Sequence, residues 1–145
     1  MENLKGKKAL ITGGARGLGK ATAIALAKEG VDIAITGRNE EVLKTTTSEL
    51  ESLGIQAIYS VFDVSNYKST QAGLKQITDS WGEVDILINN AGIASFGTVN
   101  EMGVETWTQI INTNLLGMYY VTKEILPFMI KRIKEIFIMY LLRQV

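Results

Sequence analysis

Cysteine and histidine are both absent from this 145-residue chain, and proline occurs once, at Pro127. Without cysteine there is no disulfide and no thiolate nucleophile, which suits a reducing compartment. Without histidine, serine–histidine relays and zinc–histidine sites fall away together, and no metal site is expected. An excess of charge of either sign is missing too, since 15 Lys and Arg stand against 15 Asp and Glu. That balance leaves no electrostatic footprint for nucleic acid or for an anionic membrane surface. The start, Met1-Glu2-Asn3-Leu4-Lys5, lacks the apolar core of a signal peptide. The longest late apolar run, Ile136 to Leu142, is too short to span a bilayer. A soluble cytoplasmic protein is expected, of a length that fits one domain with a real core.

What the chain does have is glycine in the right place. Ala9-Leu10-Ile11 reads as an apolar strand, and Thr12-Gly13-Gly14-Ala15-Arg16-Gly17-Leu18-Gly19 follows it directly. Glycines there permit positive φ and remove the Cβ that would hold a pyrophosphate off the backbone. A helix starting on the far side turns its free N–H groups and positive dipole end to the same point. A dinucleotide phosphate is the natural guest. The spacing is T-G-x-x-x-G-x-G and not G-x-G-x-x-G. A P-loop reading from Gly14 through Gly19 to Lys20 fails at Ala21, where a hydroxyl should reach Mg²⁺. The plain alternative is a tight strand-to-helix turn.

Beyond that turn, strand and helix signals alternate. Leu18, Ile24, Ala25 and Leu26 fit a helix that Gly30 ends, and Val31 to Thr36 is a β-branched strand. Asn39 can cap a second helix, with Glu40 and Glu41 in its first turn and Leu43, Leu50 and Leu53 along it; Gly54 closes it. Ile55 to Phe62 is a third strand. Leu74, Ile77 and Trp81 mark a third helix stopped by Gly82, and Val84 to Ile88 is a fourth strand. A long helix is expected from about Val104 to Ile130, with Pro127 kinking or stopping it near its end. Such alternation without hairpin signals predicts an α/β fold, a doubly wound parallel sheet with helices on both faces. In such a sheet, ligands bind at the carboxyl ends of the strands, where the glycine turn, Arg38, Asp63 and Asn89 all fall.

The T-G-x-x-x-G-x-G turn and Asn89-Asn90-Ala91-Gly92 after strand four together resemble the short-chain dehydrogenase/reductase family. The resemblance implies a Rossmann-like sheet, of which this chain offers the N-terminal part, with strands one to four and a fifth in Ile136 to Leu142. It implies a nicotinamide cofactor held by Thr12, Gly13, Gly14, Arg16, Gly17, Leu18 and Gly19. Asp63-Val64 resembles the family's adenine contact, although Asp63 could instead be an N-cap, a role open equally to Ser65 or Asn66. Asn89, Ala91 and Gly92 fall where the family's motif supports the sheet and lays its backbone against the cofactor, whereas a polar loop turned by glycine is the plain reading. A carboxylate about 20 residues beyond the glycines holds the ribose of NAD, while an arginine suits a 2′-phosphate. Thr36-Gly37-Arg38 supplies the arginine, and Arg16 stands where NADP-preferring relatives carry a second cation. NADP(H) is the expected cofactor.

The same resemblance marks what is missing. Asn114, within Asn112-Thr113-Asn114-Leu115-Leu116-Gly117, matches an asparagine that in the family holds the catalytic lysine through a water. The family's serine and Tyr-x-x-x-Lys come after strand five, yet here no serine follows Ser95. Tyr119 and Lys123 have the right spacing but precede strand five, in the wrong helix. Within the family, the sequence most resembles bacterial 3-oxoacyl-acyl-carrier-protein reductases of fatty acid biosynthesis. That implies a small-molecule or acyl-carrier substrate and a homo-oligomer, and self-association is expected of this chain. Residues 1–132 are expected to form an incomplete NADP-binding domain. Residues 133–145 read as an atypical tail, expected to come from a shifted reading frame past about Arg132. An oxidoreductase lineage without turnover is the resulting expectation. The alternatives are a nucleotide-binding module and a non-functional fragment.

Overall fold

The computed structural model describes residues 4–131 and, as backbone, the strand Phe137–Tyr140. Its elements are β1 (Lys8–Thr12), α1 (Gly17–Lys28), β2 (Asp32–Gly37), α2 (Glu40–Glu51), β3 (Ala57–Val61), α3 (Tyr67–Trp81) and β4 (Ile86–Asn89). After them come α4 (Val104–Ile111), a π-helical stretch (Asn112–Leu116), α5 (Gly117–Ile130) and β5 (Phe137–Tyr140). All strand pairs are parallel, in the order β3-β2-β1-β4-β5. The chain builds outward from β1 through β2 to β3, then returns to the other flank with β4. That reversal puts a crevice beside the carboxyl end of β1.

Alternation along the strands divides the interior in two. Ala9, Ile11, Ile33, Ile35, Ile86 and Ile88 face one way, onto Ala23 and Ala27 of α1 and Leu43 and Leu50 of α2. Leu10, Ala34 and Leu87 face the other way, onto Leu74, Ile77 and Trp81 of α3 and Val121, Ile125 and Met129 of α5. A sheet covered on both faces leaves its central strand dry, and Ala9, Leu10 and Ile11 are fully buried. The larger two, Leu10 and Ile11, each contribute about 1.5–3 kcal/mol on burial.

Most of the expected elements are found, with three differences of detail. The most buried positions of α1 are Gly19, Ala23 and Ala27 at four-residue spacing, with Ile24 and Leu26 only partly buried beside them and Leu18 60% exposed. Small side chains let this helix lie close to the sheet. The long helix expected from Val104 to Ile130 is interrupted by the π-helical stretch, which carries one more residue per turn than the α-helix around it. Pro127 does not stop the helix, since α5 runs on to Ile130. The strand expected within Ile136 to Leu142 is present as Phe137–Tyr140, paired with β4 from Ile86↔Phe137 to Asn89↔Tyr140. Residues 132–136 and 141–145, on which the reading of an atypical tail rests, lie outside the described residues.

Candidate functional site

The loops that leave β1, β2, β3 and β4 converge on a cleft of about 700 Å³ at the carboxyl edge of the sheet. That volume suits a cofactor-sized ligand. Gly13, Arg16, Gly17 and Leu18 form one wall, and Arg38, Asp63 and Val64 form one end. Asn89, Ala91 and Gly92 lie beneath, and Asn114 closes the far side from the π-helical stretch. These are eleven of the fourteen residues expected from the sequence. The other three, Thr12, Gly14 and Gly19, stand one layer behind the cleft as its supports.

The glycine turn has a definite geometry. Gly13 and Gly17 have φ of 63° and 53°, a left-handed backbone that side chains disfavour. Gly14 packs against the Ile35 side chain, and Gly19 against the Asn90 amide and the Gly13 carbonyl, with no room for a Cβ at either. From α2, Thr46 reaches over and its hydroxyl donates to the Ala15 carbonyl at 3.1 Å. Arg16 occupies the N-cap position of α1 in extended conformation, and no side chain among the described residues caps the helix. The first N–H groups of α1 therefore have no intrahelical acceptor, and among the described residues no side-chain cap and no acid in the first turn takes its place.

A residue that sequence reasoning passed over ties the turn to the next loop. The Asn90 side-chain amide donates to the carbonyls of Thr12 and Gly13, both at 3.0 Å. In return, the Thr12 hydroxyl accepts from the backbone N–H groups of Asn90 and Ala91, at 3.1 and 3.0 Å. Four hydrogen bonds thus lock the end of β1 to the end of β4. Its place inside the Asn89-Asn90-Ala91-Gly92 motif was the only sequence signal, because the partners lie 77 to 79 residues away. Asn89 turns the other way and donates to the Thr122 hydroxyl of α5 at 3.2 Å. Its side-chain Oδ1 is buried without a partner among the described residues.

Asn114 bridges elements. Its Oδ1 accepts from the Ile93 N–H at 2.9 Å and its Nδ2 donates to the Ile93 carbonyl at 2.8 Å. The π-helical stretch is thereby fastened to the loop beyond β4. Three residues on, Gly117 has no side chain where Val64 presses in; a Cβ there would lie 2.9 Å from Val64 Cγ2. One helix junction so positions both the far side of the cleft and the Val64 end.

Asp63 is not a helix cap, a role that falls to Asn66, whose side chain accepts from Ser69 N–H at 2.9 Å. Instead, Asp63 Oδ1 accepts from both the N–H and the hydroxyl of Ser65, at 2.9 and 2.7 Å. Its Oδ2 faces Arg38 Nη1 at 3.7 Å. Partial burial pushes the Asp63 carboxyl up, but the Ser65 hydrogen bonds and the Arg38 charge outweigh it and hold the group below its ordinary value.

Tyr119 and Lys123 are not part of this cleft. The Tyr119 side chain is 58% exposed, with its ring 5.9 Å from that of Tyr120. Lys123 Nζ lies 5.2 Å above the Tyr67 ring, whose hydroxyl donates to Glu124 at 2.6 Å. The Tyr67 hydroxyl raises the Lys123 pKa, so the ammonium is stabilised in its charged form. Lys123 belongs to a clasp between α3 and α5, whereas Tyr119 packs beside Tyr120 of its own helix.

The family model for short chain dehydrogenases matches residues 7–137. A 3-oxoacyl-acyl-carrier-protein reductase of Vibrio cholerae is 39% identical over 130 residues, covering 90% of this chain and 52% of that protein. The L-sorbose reductase of Gluconobacter frateurii, solved with NADPH and L-sorbose, superposes with a TM-score of 0.86 at 30% identity, over 90% of this chain and 51% of the other. A short chain dehydrogenase/reductase of Burkholderia phymatum, solved in complex with NAD, gives 0.89 at 28% identity, over 97% and 50%. The chain spans about half the length of the relatives it matches. With the parallel sheet, the glycine turn and the Asn89-Asn90-Ala91-Gly92 loop all in place, this chain belongs to the short chain dehydrogenase family.

Proposed function

We propose that the chain binds NADP(H) in the cleft at the carboxyl edge of the sheet, as the cofactor-holding part of a ketoreductase. The observation that carries this is the open N-terminus of α1. Its free N–H groups and positive dipole end border the cleft beside glycines that let a pyrophosphate come close. Asp63 and Val64 would flank the adenine, and the backbone of Ala91 and Gly92 would lie along the cofactor. Known neighbours hold NADPH in one case and NAD in another, so cofactor choice turns on this chain's own residues. At the end of β2 stands Arg38, with its side chain 71% exposed and able to offer a 2′-phosphate two donors. Arg16, at the cleft wall, adds a second positive charge.

NADPH, when bound, supplies a hydride, and a carbonyl substrate then needs a proton donor. Positioned donors are typically worth about 10²–10⁴ in rate. The sequence has no serine after Ser95, and its one Tyr-x-x-x-Lys lies outside the cleft. Binding without turnover is therefore the proposed behaviour of this chain by itself. The 3-oxoacyl class of substrate is supported by the likeness to the Vibrio cholerae reductase.

Titration with NADPH and NADH, read by thermal unfolding, tests the cofactor reading, because a ligand bound only by the native state raises stability. NADPH should bind more tightly, and Arg38→Asp should reverse the order; equal affinities in the unmodified chain refute it. Turnover is tested separately. Oxidation of NADPH with a 3-oxoacyl substrate, lost on Tyr119→Phe, would make Tyr119 a working acid and overturn the second part.

A further inference from the structure

We infer that Asp63 is a specificity-determining residue that holds Arg38 in the empty protein and so tempers its grip on a 2′-phosphate. This rests on the NADP(H) reading above and sharpens it. Parallel pairing of β2 with β3 sets Gly37 beside Val61, so the residues that follow these two strands emerge together at one mouth of the cleft. Arg38 comes from the first and Asp63 from the second, and their ion pair spans the Val64 end.

The two partners are held very differently. Oδ1 of Asp63 is fixed by both donors of Ser65, and the Asp63 carbonyl accepts from Asn66 N–H at 3.1 Å. The carboxylate is therefore a stationary charge. Arg38 is long and largely exposed, and at 3.7 Å it is drawn to Oδ2 by charge without a short hydrogen bond. To take a phosphate through its planar fork, the guanidinium must leave Oδ2 or share itself with it. NADH has no 2′-phosphate and makes no such demand. The carboxylate thus weakens NADPH binding through Arg38 and leaves NADH untouched by that route.

Division of labour between the carboxylate oxygens makes the test clean. Asp63→Asn keeps an oxygen at Oδ1 for Ser65 and replaces only the atom that faces Arg38. Both cofactors carry the same adenine, so any direct contact between residue 63 and the base cancels in the ratio of their affinities. Dissociation constants for NADPH and NADH should be measured on the full chain, on Asp63→Asn, on Arg38→Ala and on the double variant, with melting curves to confirm that each folds. Asp63→Asn should raise the preference for NADPH by about two- to fivefold, the range exposed ion pairs carry. The increase should vanish when Arg38 is already alanine.

Three results overturn the inference. An unchanged or lowered ratio in Asp63→Asn, with the preference still lost in Arg38→Ala, defeats it while leaving the NADP(H) reading intact. An equal increase with and without Arg38 shows that Asp63 acts by its own charge on the phosphate. Absence of any preference in the unmodified chain defeats both readings together.

Discussion

Three helices begin just beyond the carboxyl ends of three neighbouring strands, and they begin differently. For α2, the Asn39 side chain accepts from Val42 N–H at 3.1 Å, and Glu40 and Glu41 stand in the first turn. For α3, Asn66 does the same for Ser69. Both helices satisfy their own positive ends. In α1 the corresponding residue is Arg16, and the first turn holds glycines and no acid. α4 also lacks a side-chain cap at Gly103, but Glu105 sits in its first turn. The contrast teaches that a helix which could have been capped cheaply, and is not, marks where an anion is meant to complete it.

The largest test of that contrast is steric. In Gly19→Ala the new methyl meets the Asn90 amide and the Gly13 carbonyl, which are themselves locked together. Overpacking of this kind costs about 1–3 kcal/mol. Thermal unfolding should show that loss, and the shift produced by NADPH should disappear. A variant with unchanged melting temperature and unchanged nucleotide response would break the account of the turn.

A second test exchanges the two kinds of helix start. Arg16 already has the extended backbone of an N-cap, so Arg16→Asp should supply the missing cap and stabilise the empty protein by about 0.5–1 kcal/mol. The same change should weaken NADPH binding, because the new carboxylate occupies the donors the phosphate needs and removes a cation. At α3, Asn66→Ala should cost about 1 kcal/mol and leave nucleotide binding as it was. Stability and affinity moving together in Arg16→Asp would contradict the comparison.

The smallest effect concerns acid. Asp63 has a lowered pKa in the folded chain, so it adds stability fully above its unfolded value near 3.8. That contribution fades as pH falls through the lower folded value. Asp63→Asn should flatten the stability curve only in that acid range, and modestly, since the side chain is 39% exposed. Acid unfolding of the two proteins side by side measures it.

Much of this organisation was legible in the chain. Alternating strands and helices, the caps Asn39 and Asn66 and the closing glycines Gly30 and Gly82 are local signals, set by residues a few positions apart. The glycine turn was legible for the same reason. Less visible were the pairings that cross the chain. Asn90 reaches back to Thr12, Asn114 to Ile93 and Thr46 to Ala15, and no spacing rule announces them. The most buried face of α1 was less legible, because hydrophobic size does not mark Gly19, Ala23 and Ala27. Close approach to the sheet selected those small residues, with Ile24 and Leu26 packed beside them.

The π-helical stretch has a consequence of its own. An α-helix turns about 100° per residue, so one residue more or fewer rotates everything beyond it by that angle. Asn112–Leu116 thus acts as a phase adjuster between α4 and α5. It lets Asn114 point at Ile93 while Gly117 presents its bare backbone to Val64 and Val121, Ile125 and Met129 stay in the core. Removing one residue there would leave a smoother helix whose two ends could no longer both be in step. One irregular turn thereby synchronises the cleft with the core.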